Sequence, residues 1–258
     1  MFKKIIKQIV PNKIIKKIKQ LKTDIKILFR QSKFMRNKID KNFGDMNTAD
    51  IFDKIYVDKI WGGDHDGNST SGAGSHTEDV VKPYVDKVSS FLSKIQPSII
   101  VDLGCGDFNI GKNFVNYSEK YIACDVSKKI LNNNKKNFSS IKNVEFKLLD
   151  LANDDLPSGD VCFVRQVLQH LSNSDIDNFV KKLKSIKPYK YLIITEHLPI
   201  NKNFKANLDK RTGSGIRLLF NSGVVLHKEP FNLSTSQTIE LVEVPNMGGV
   251  IKTIVYKI

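Results

Sequence analysis

The sequence predicts an α/β fold: a mostly parallel seven-stranded sheet with helices on both faces, closed by an antiparallel C-terminal hairpin. Three observations carry this. From residue 98 to 195 short apolar runs alternate with amphipathic stretches, the pattern of a parallel sheet. Three of those runs end in an acid, in "SIIVD", "YIACD" and "VEFKLLD". Residues 237–244 and 250–257 alternate apolar and polar around "PNMGG", which reads as a hairpin.

The elements follow in chain order. Residues 1–41 form a basic tail. Phe2, Ile5, Ile6, Ile9, then Ile14, Ile15, Ile18, Leu21, Ile25 and Leu28 recur at helical spacing, with lysines between them. Pro11 divides this pattern into a short helix and a longer one. Residues 42–97 form a helical cap. Thr48 is expected to cap a helix over 49–60 with Ile51, Phe52, Ile55 and Ile60 inward. The stretch 61–79, with five glycines, is a long loop, and a loop of that length in a compact domain is usually functional. A helix then runs to about Ile95. The core, 98–258, holds strands at 98–103, 121–125, 144–149, 160–165 and 190–195. Helices are expected near 109–117, over 127–138 and within 166–186, the last capped by Ser174 with Asp177. An insertion at 196–235 precedes the hairpin.

Charge is unevenly divided over the 258 residues. Residues 1–41 carry twelve lysines and two arginines against Asp24 and Asp40, a net +12. The other 217 residues carry 27 bases and 25 acids, a net +2. The basicity belongs to the tail. A near-neutral core argues against nucleic acid as partner, since such enzymes line their cleft with positive charge. Lysine opposite isoleucine suits a helix lying on an anionic membrane, where each lysine contributes about 1 kcal/mol. The expected contact runs through residues 1–35. Cys105, Cys124 and Cys162 form no CxxC pair, which fits a reducing cytoplasm. No apolar run reaches membrane-spanning length, and "MFKKIIKQIV" lacks a signal-peptide core.

The stretch "SIIVDLGCGDFNIG" ends a buried strand in a tight glycine loop. A dinucleotide site wants G-x-G-x-x-G with pyrophosphate at the helix N-terminus. Here Phe108 and Asn109 stand in the way, and Asp107 would repel a pyrophosphate. Asp125 lies 23 residues after Asp102, near the offset of about 20 at which an acid takes ribose hydroxyls. An adenosine carrying a cation rather than phosphates fits these acids, and S-adenosylmethionine (SAM) is such a ligand.

Residues 98–195 resemble a class I SAM-dependent methyltransferase, with a Rossmann-like fold. The family's first motif is close to D/E-x-G-x-G-x-G, and here "DLGCGDF" replaces its last glycine by Phe108. The resemblance implies SAM as cofactor, with Asp102, Gly104, Cys105 and Gly106 along its methionine end. It puts Asp125 and Val126 at the ribose, and Asp150 and Leu151 beside the adenine. "IYVDKIWGGDHDGNSTSGAGS", "VRQVLQHLSNSDI" and "NLDKRTGSGIRLLF…KEPFNL" are similar to bacterial methyltransferases of surface-polysaccharide (capsule or lipopolysaccharide) biosynthesis. That likeness implies methyl transfer to a hydroxyl of a sugar or nucleotide-linked sugar, in the cytoplasm at the inner face of the membrane. Transfer to nitrogen or to a phosphoryl oxygen, and RNA methylation using the tail, are the alternatives.

Abstracting a hydroxyl proton calls for a base. His170 lies four residues past Gln166, on one face if the stretch is helical, and is a candidate base or a structural histidine. His197 is the second candidate, with Glu196 beside it as orienter. Arg165 and Gln166 are expected at the cofactor pocket's mouth. The loop 61–75 reads as a lid in which Trp61 stacks on substrate or anchors the loop, with Ser75 near the substrate. Arg211 and Arg217 of the insertion either hold a phosphate or are simply solvated. No metal is expected: Asp64, His65 and Asp66 are too crowded to form a cage.

Overall fold

The computed structural model describes residues 12–65 and 67–258. The expected division of the tail at Pro11 lies outside the described residues. Helix α1 (Asn12–Gln31) leads through a turn to α2 (Lys33–Arg36). Helix α3 (Thr48–Val57) buries Ile51, Phe52, Ile55 and Tyr56. Its cap is Asn47 rather than Thr48, because the Asn47 side chain accepts the Asp50 amide at 2.9 Å. The helix stops before Ile60, which is 47% exposed rather than inward. The expected loop 61–79 ends early: α4 (Ala73–His76) forms within it, and α5 (Glu78–Ile95) follows. Val80, Tyr84, Val88 and Leu92, four residues apart, form the buried stripe of α5, each contributing about 1.5–3 kcal/mol by leaving water.

The sheet holds β1 (Ile99–Leu103), β2 (Lys120–Asp125), β3 (Val144–Leu148), β4 (Val161–Arg165), β5 (Tyr191–Pro199), β6 (Gln237–Asn246) and β7 (Gly249–Lys257). Their order is β3-β2-β1-β4-β5-β7-β6, with β7 antiparallel to both neighbours. This is the expected seven-stranded Rossmann-like architecture. Helices α6 (Lys128–Asn137) and α7 (Asn173–Ile186) complete it. The strand order reverses between β1 and β4, which opens a crevice at the carboxyl ends of the strands.

Three local expectations need correction. Residues 109–117 form two short 3-10 turns, at Gly111–Asn113 and Val115–Tyr117, instead of a helix. Residues 166–170 bend and close in a 3-10 turn over Leu168–His170, and α7 is capped by Ser172 instead of Ser174. The Ser172 hydroxyl accepts the Asp175 amide, and Ser174 lies inside the helix, past the capping position. Residues 196–199 are strand, because β7 pairs with β5 as far as Pro199 opposite Gly249.

Candidate active site

The glycine loop follows β1. Gly104 has φ +80°, and a Cβ there would lie 2.3 Å from Val167. Gly106 has φ +55°, and a Cβ there would lie 2.2 Å from the Ser71 hydroxyl. Both positions demand glycine. Phe108, where the motif has its last glycine, also adopts a left-handed φ of 62°. Its fully buried ring packs edge-on against Tyr121, Phe138 and Phe146. The aromatic contacts, about 0.5–1.5 kcal/mol each beyond burial, offset a left-handed cost of about 1–2 kcal/mol.

The acids close on one cavity of about 480 Å³. Asp102 accepts the Tyr121 hydroxyl at 2.9 Å, and burial pushes its pKa up to about 7. Asp125 accepts the amides of Gly106 and Ser127, each at 2.9 Å, and burial raises it to about 6. Asp150 accepts the Ala152 amide at 2.8 Å. Each carboxylate keeps lone pairs free for a ligand. Cys105, Val126 and Leu151 line the same cavity.

The lid is bonded to the glycine loop. The Ser71 amide donates to Asp107 at 2.8 Å, and the Asp107 amide donates to the Ser71 hydroxyl at 2.9 Å. Arg165 donates to the Ser75 hydroxyl at 3.1 Å and the Gly74 carbonyl at 2.6 Å, and lies over the Tyr84 ring. Gln166 abuts Gly74 so closely that a Cβ there would lie 2.2 Å from its Oε1. In the loop 61–75 the Trp61 ring packs against Phe52, Tyr56 and His170 and also lines the cavity.

Both histidines reach the cavity, and burial lowers the pKa of both, opposed at His197 by its bond to the Asn246 carbonyl. His170 is buried, its Nδ1 has no hydrogen-bond partner among the described residues, and its ring centroid lies 4.8 Å from that of Trp61. Burial, and behind it the Lys210 charge, lowers its pKa to about 3. His197 Nε2 lies 2.9 Å from the Asn246 carbonyl oxygen. Only an N–H satisfies a carbonyl, so Nε2 carries the proton and Nδ1 the lone pair.

Residues 101–186 match the sequence family described as a methyltransferase domain. The acids around the cavity, with Arg165 committed to the lid, suit a cationic adenosine such as SAM. Residues 101–186 form a class I SAM-dependent methyltransferase domain. No curated protein matches the sequence. Solved structures match the fold. The N-methyltransferase NodS from Bradyrhizobium japonicum WM9, bound to S-adenosyl-L-homocysteine (SAH), aligns with TM-score 0.56 and 8% identity, over 82% of this chain and 98% of that one. Magnesium protoporphyrin IX methyltransferase (ChlM) from Synechocystis PCC 6803, with bound SAM, gives 0.53 and 14%, over 83% and 98%. The methyltransferase domain of a bacterial Hen1 gives 0.51 and 17%, over 69% and 98%.

Three expected substrate residues of the methyltransferase lie away from the cavity. Arg217 is fully buried, and its guanidinium donates to the carbonyls of Leu208, Leu168, Gln169 and Leu171 and to the Asn173 side chain. It is a structural clamp with no donor left for a phosphate. Arg211 is exposed on a separate groove with Asp154 and Asp175. Glu196 accepts the Leu168 amide at 3.1 Å and does not orient His197, because adjacent residues of a strand face opposite sides. Gln169 instead accepts the His197 amide, at 3.3 Å. The insertion contributes Ser214, Gly215, Ile216 and Leu219, and the hairpin tip contributes Asn246 and Met247. These were missed because their place depends on long-range packing. Of the metal candidates Asp64, His65 and Asp66, the last lies outside the described residues. Among the described residues no three His, Cys, Asp or Glu side chains cluster as a metal site.

Proposed function

We propose that this methyltransferase moves the SAM methyl group to a hydroxyl of an uncharged sugar unit, in the building of a surface polysaccharide. The single observation that carries hydroxyl chemistry is His197, a cavity residue whose Nε2–H is held by the Asn246 carbonyl, which leaves the ring's lone pair on Nδ1. SAM supplies an electrophilic methyl on a sulfonium. The chain's part is to hold it and to take the hydroxyl proton as the bond forms. Asp102 would face the cationic methionine end, Asp125 the ribose hydroxyls and Asp150 with Leu151 the adenine. His197 Nδ1 would accept the proton. His170, held neutral by burial, is a poor base near pH 7 and serves better as the platform under Trp61.

The lining favours an uncharged acceptor over a nucleotide-linked one. Among the described residues the cavity's charged side chains are four acids, Asp102, Asp107, Asp125 and Asp150, and Arg165, whose two Nη atoms already bond Ser75 and Gly74 and whose Nε alone has no partner. Nitrogen transfer is the second reading. It is favoured by the same acidic lining, which suits an amine, and it needs no base. The exposed basic helix α1 supports a peripheral position at the inner face of an anionic membrane. Among the described residues no helix is long and apolar enough to cross one.

Calorimetric titration of SAH tests the cofactor assignment. Micromolar binding by the wild type, lost in Asp125→Ala, is the expected result. A folded wild type that binds no SAH would remove the reading. Labelled SAM with neutral glycoside acceptors then tests the hydroxyl.

A further inference from the structure

Among the described residues, helix α1 presents an unpartnered stripe. Ile14, Ile18, Leu21, Ile25 and Leu28, spaced alternately four and three apart, are 46–66% exposed. Lys16, Lys17, Lys19, Lys22 and Lys26 are exposed around it, and none pairs with an acid among the described residues.

This helix is not a free arm. It runs beside the turn Arg217–Phe220, where Leu219 is 49% exposed and lines the cavity. At the hairpin tip, Met247 is 75% exposed and also lines the cavity. Below the helix, Arg36 donates to the Asp209 carbonyl, and the amide of Gly215, itself a cavity residue, donates to Asp40 at 3.0 Å. The segment that leaves α1 is therefore fastened to the loop forming the acceptor side of the cavity.

Resting on the reading above, we infer that α1, Leu219 and Met247 form one docking face for an anionic lipid surface, with the cavity mouth turned to the bilayer. The acceptor class follows: a sugar unit carried on a lipid and presented at the membrane. Charge complementarity selects this occupant. Two copies of the lysine-rich helix would repel, whereas anionic headgroups attract it. A stripe of five aliphatic side chains gains nothing from a nucleic-acid backbone but is buried by acyl chains.

The test is co-sedimentation of the full-length protein with phosphatidylcholine vesicles, with and without phosphatidylglycerol. Binding should be at least about tenfold tighter to the anionic vesicles and weaken with salt. Leu21→Asp with Ile25→Asp, both on the exposed stripe, should lower vesicle affinity about tenfold or more while leaving SAH affinity in solution unchanged. Leu219→Asp with Met247→Asp should lower it by about threefold or more. No preference for anionic vesicles, or RNA displacing them, overturns the docking face. Vesicle binding indifferent to Leu219→Asp with Met247→Asp overturns the placement of the mouth on the bilayer. SAH titration of the wild type stands apart: its failure would sink the methyltransfer reading and not the docking face.

Discussion

Asp40 and Lys210 form an ion pair at 3.0 Å with almost no side-chain surface exposed. The pair joins the end of the basic tail to the loop above the cavity. Lys210 also donates to the His170 carbonyl at 3.0 Å, and Asp40 accepts the Gly215 amide. A Cβ at Gly213 would lie 2.4 Å from Asp40 Cγ, so "GSG" at 213–215 leaves room for the carboxylate. Removing one partner of a buried pair strands the other. Asp40→Ala should therefore cost about 3–5 kcal/mol in urea unfolding, and Asp40→Ala with Lys210→Met should cost less than Asp40→Ala alone. Trp61, the chain's single tryptophan, donates to the Ser214 carbonyl at 3.5 Å, so its emission should shift as this loop loosens. A loss under about 1 kcal/mol, or a double variant worse than the single, would show that the pair does not bear on folding.

Cofactor affinity should depend on pH. Burial raises Asp102 to about 7 and Asp125 to about 6, so both hold protons at mildly acidic pH. A cation binds the ionised carboxylates better and lowers their pKa, so binding releases protons in this range. SAM affinity should be full above about pH 7 and fall by about tenfold as pH drops through 6. SAH lacks the sulfonium charge and should show a shallower slope. Calorimetry in two buffers of different ionisation enthalpy counts the protons. A flat SAM profile would mean that these carboxylates do not face the cation.

The two histidines should separate in kinetics. His197→Gln should lower kcat by about 10²–10⁴-fold with little change in the KM for SAM, as loss of a proton acceptor does. His170→Phe, which keeps a ring under Trp61, should cost less than about tenfold. The measurement is single-turnover methyl transfer to a neutral glycoside. The reverse ranking would move the base to His170. Equal, unchanged rates in both variants would mean that neither histidine takes the hydroxyl proton.

Glu196 is buried, and that burial raises its pKa to about 8 from 4.5. The folded state binds this proton more tightly than the unfolded state. Its contribution is therefore fully present below about pH 4.5 and lost as pH rises through 8. Glu196→Gln copies the protonated form. It should be within about 1 kcal/mol of wild type at low pH and relatively more stable toward pH 8. Parallel stability profiles for the two proteins would mean that Glu196 is ionised in the fold.

Several parts of the site were legible because their signal is local. "DLGCGDF" needs glycine where the backbone turns left-handed, and Asp102, Asp125 and Asp150 each end a strand whose period is visible in the sequence. Phe108 was legible as a departure from the motif. Its accommodation was not, since Tyr121, Phe138 and Phe146 reach it from three other places in the chain.

The sequence by itself determined the sheet, the glycine loop, the acid set and the amphipathic character of the tail, because each rests on the spacing of residues a few positions apart. The tertiary structure alone decided which cations are free. Arg217 resembles a phosphate ligand until carbonyls from 168 to 171, nearly fifty residues away, close around it. It also decided that Asp40 in the tail seats a loop 175 residues later and that Leu219 and Met247 rim one cavity. The physical reason is the same in each case. A buried polar group must find partners wherever folding brings them, and no periodicity in the chain encodes a partner so far along it.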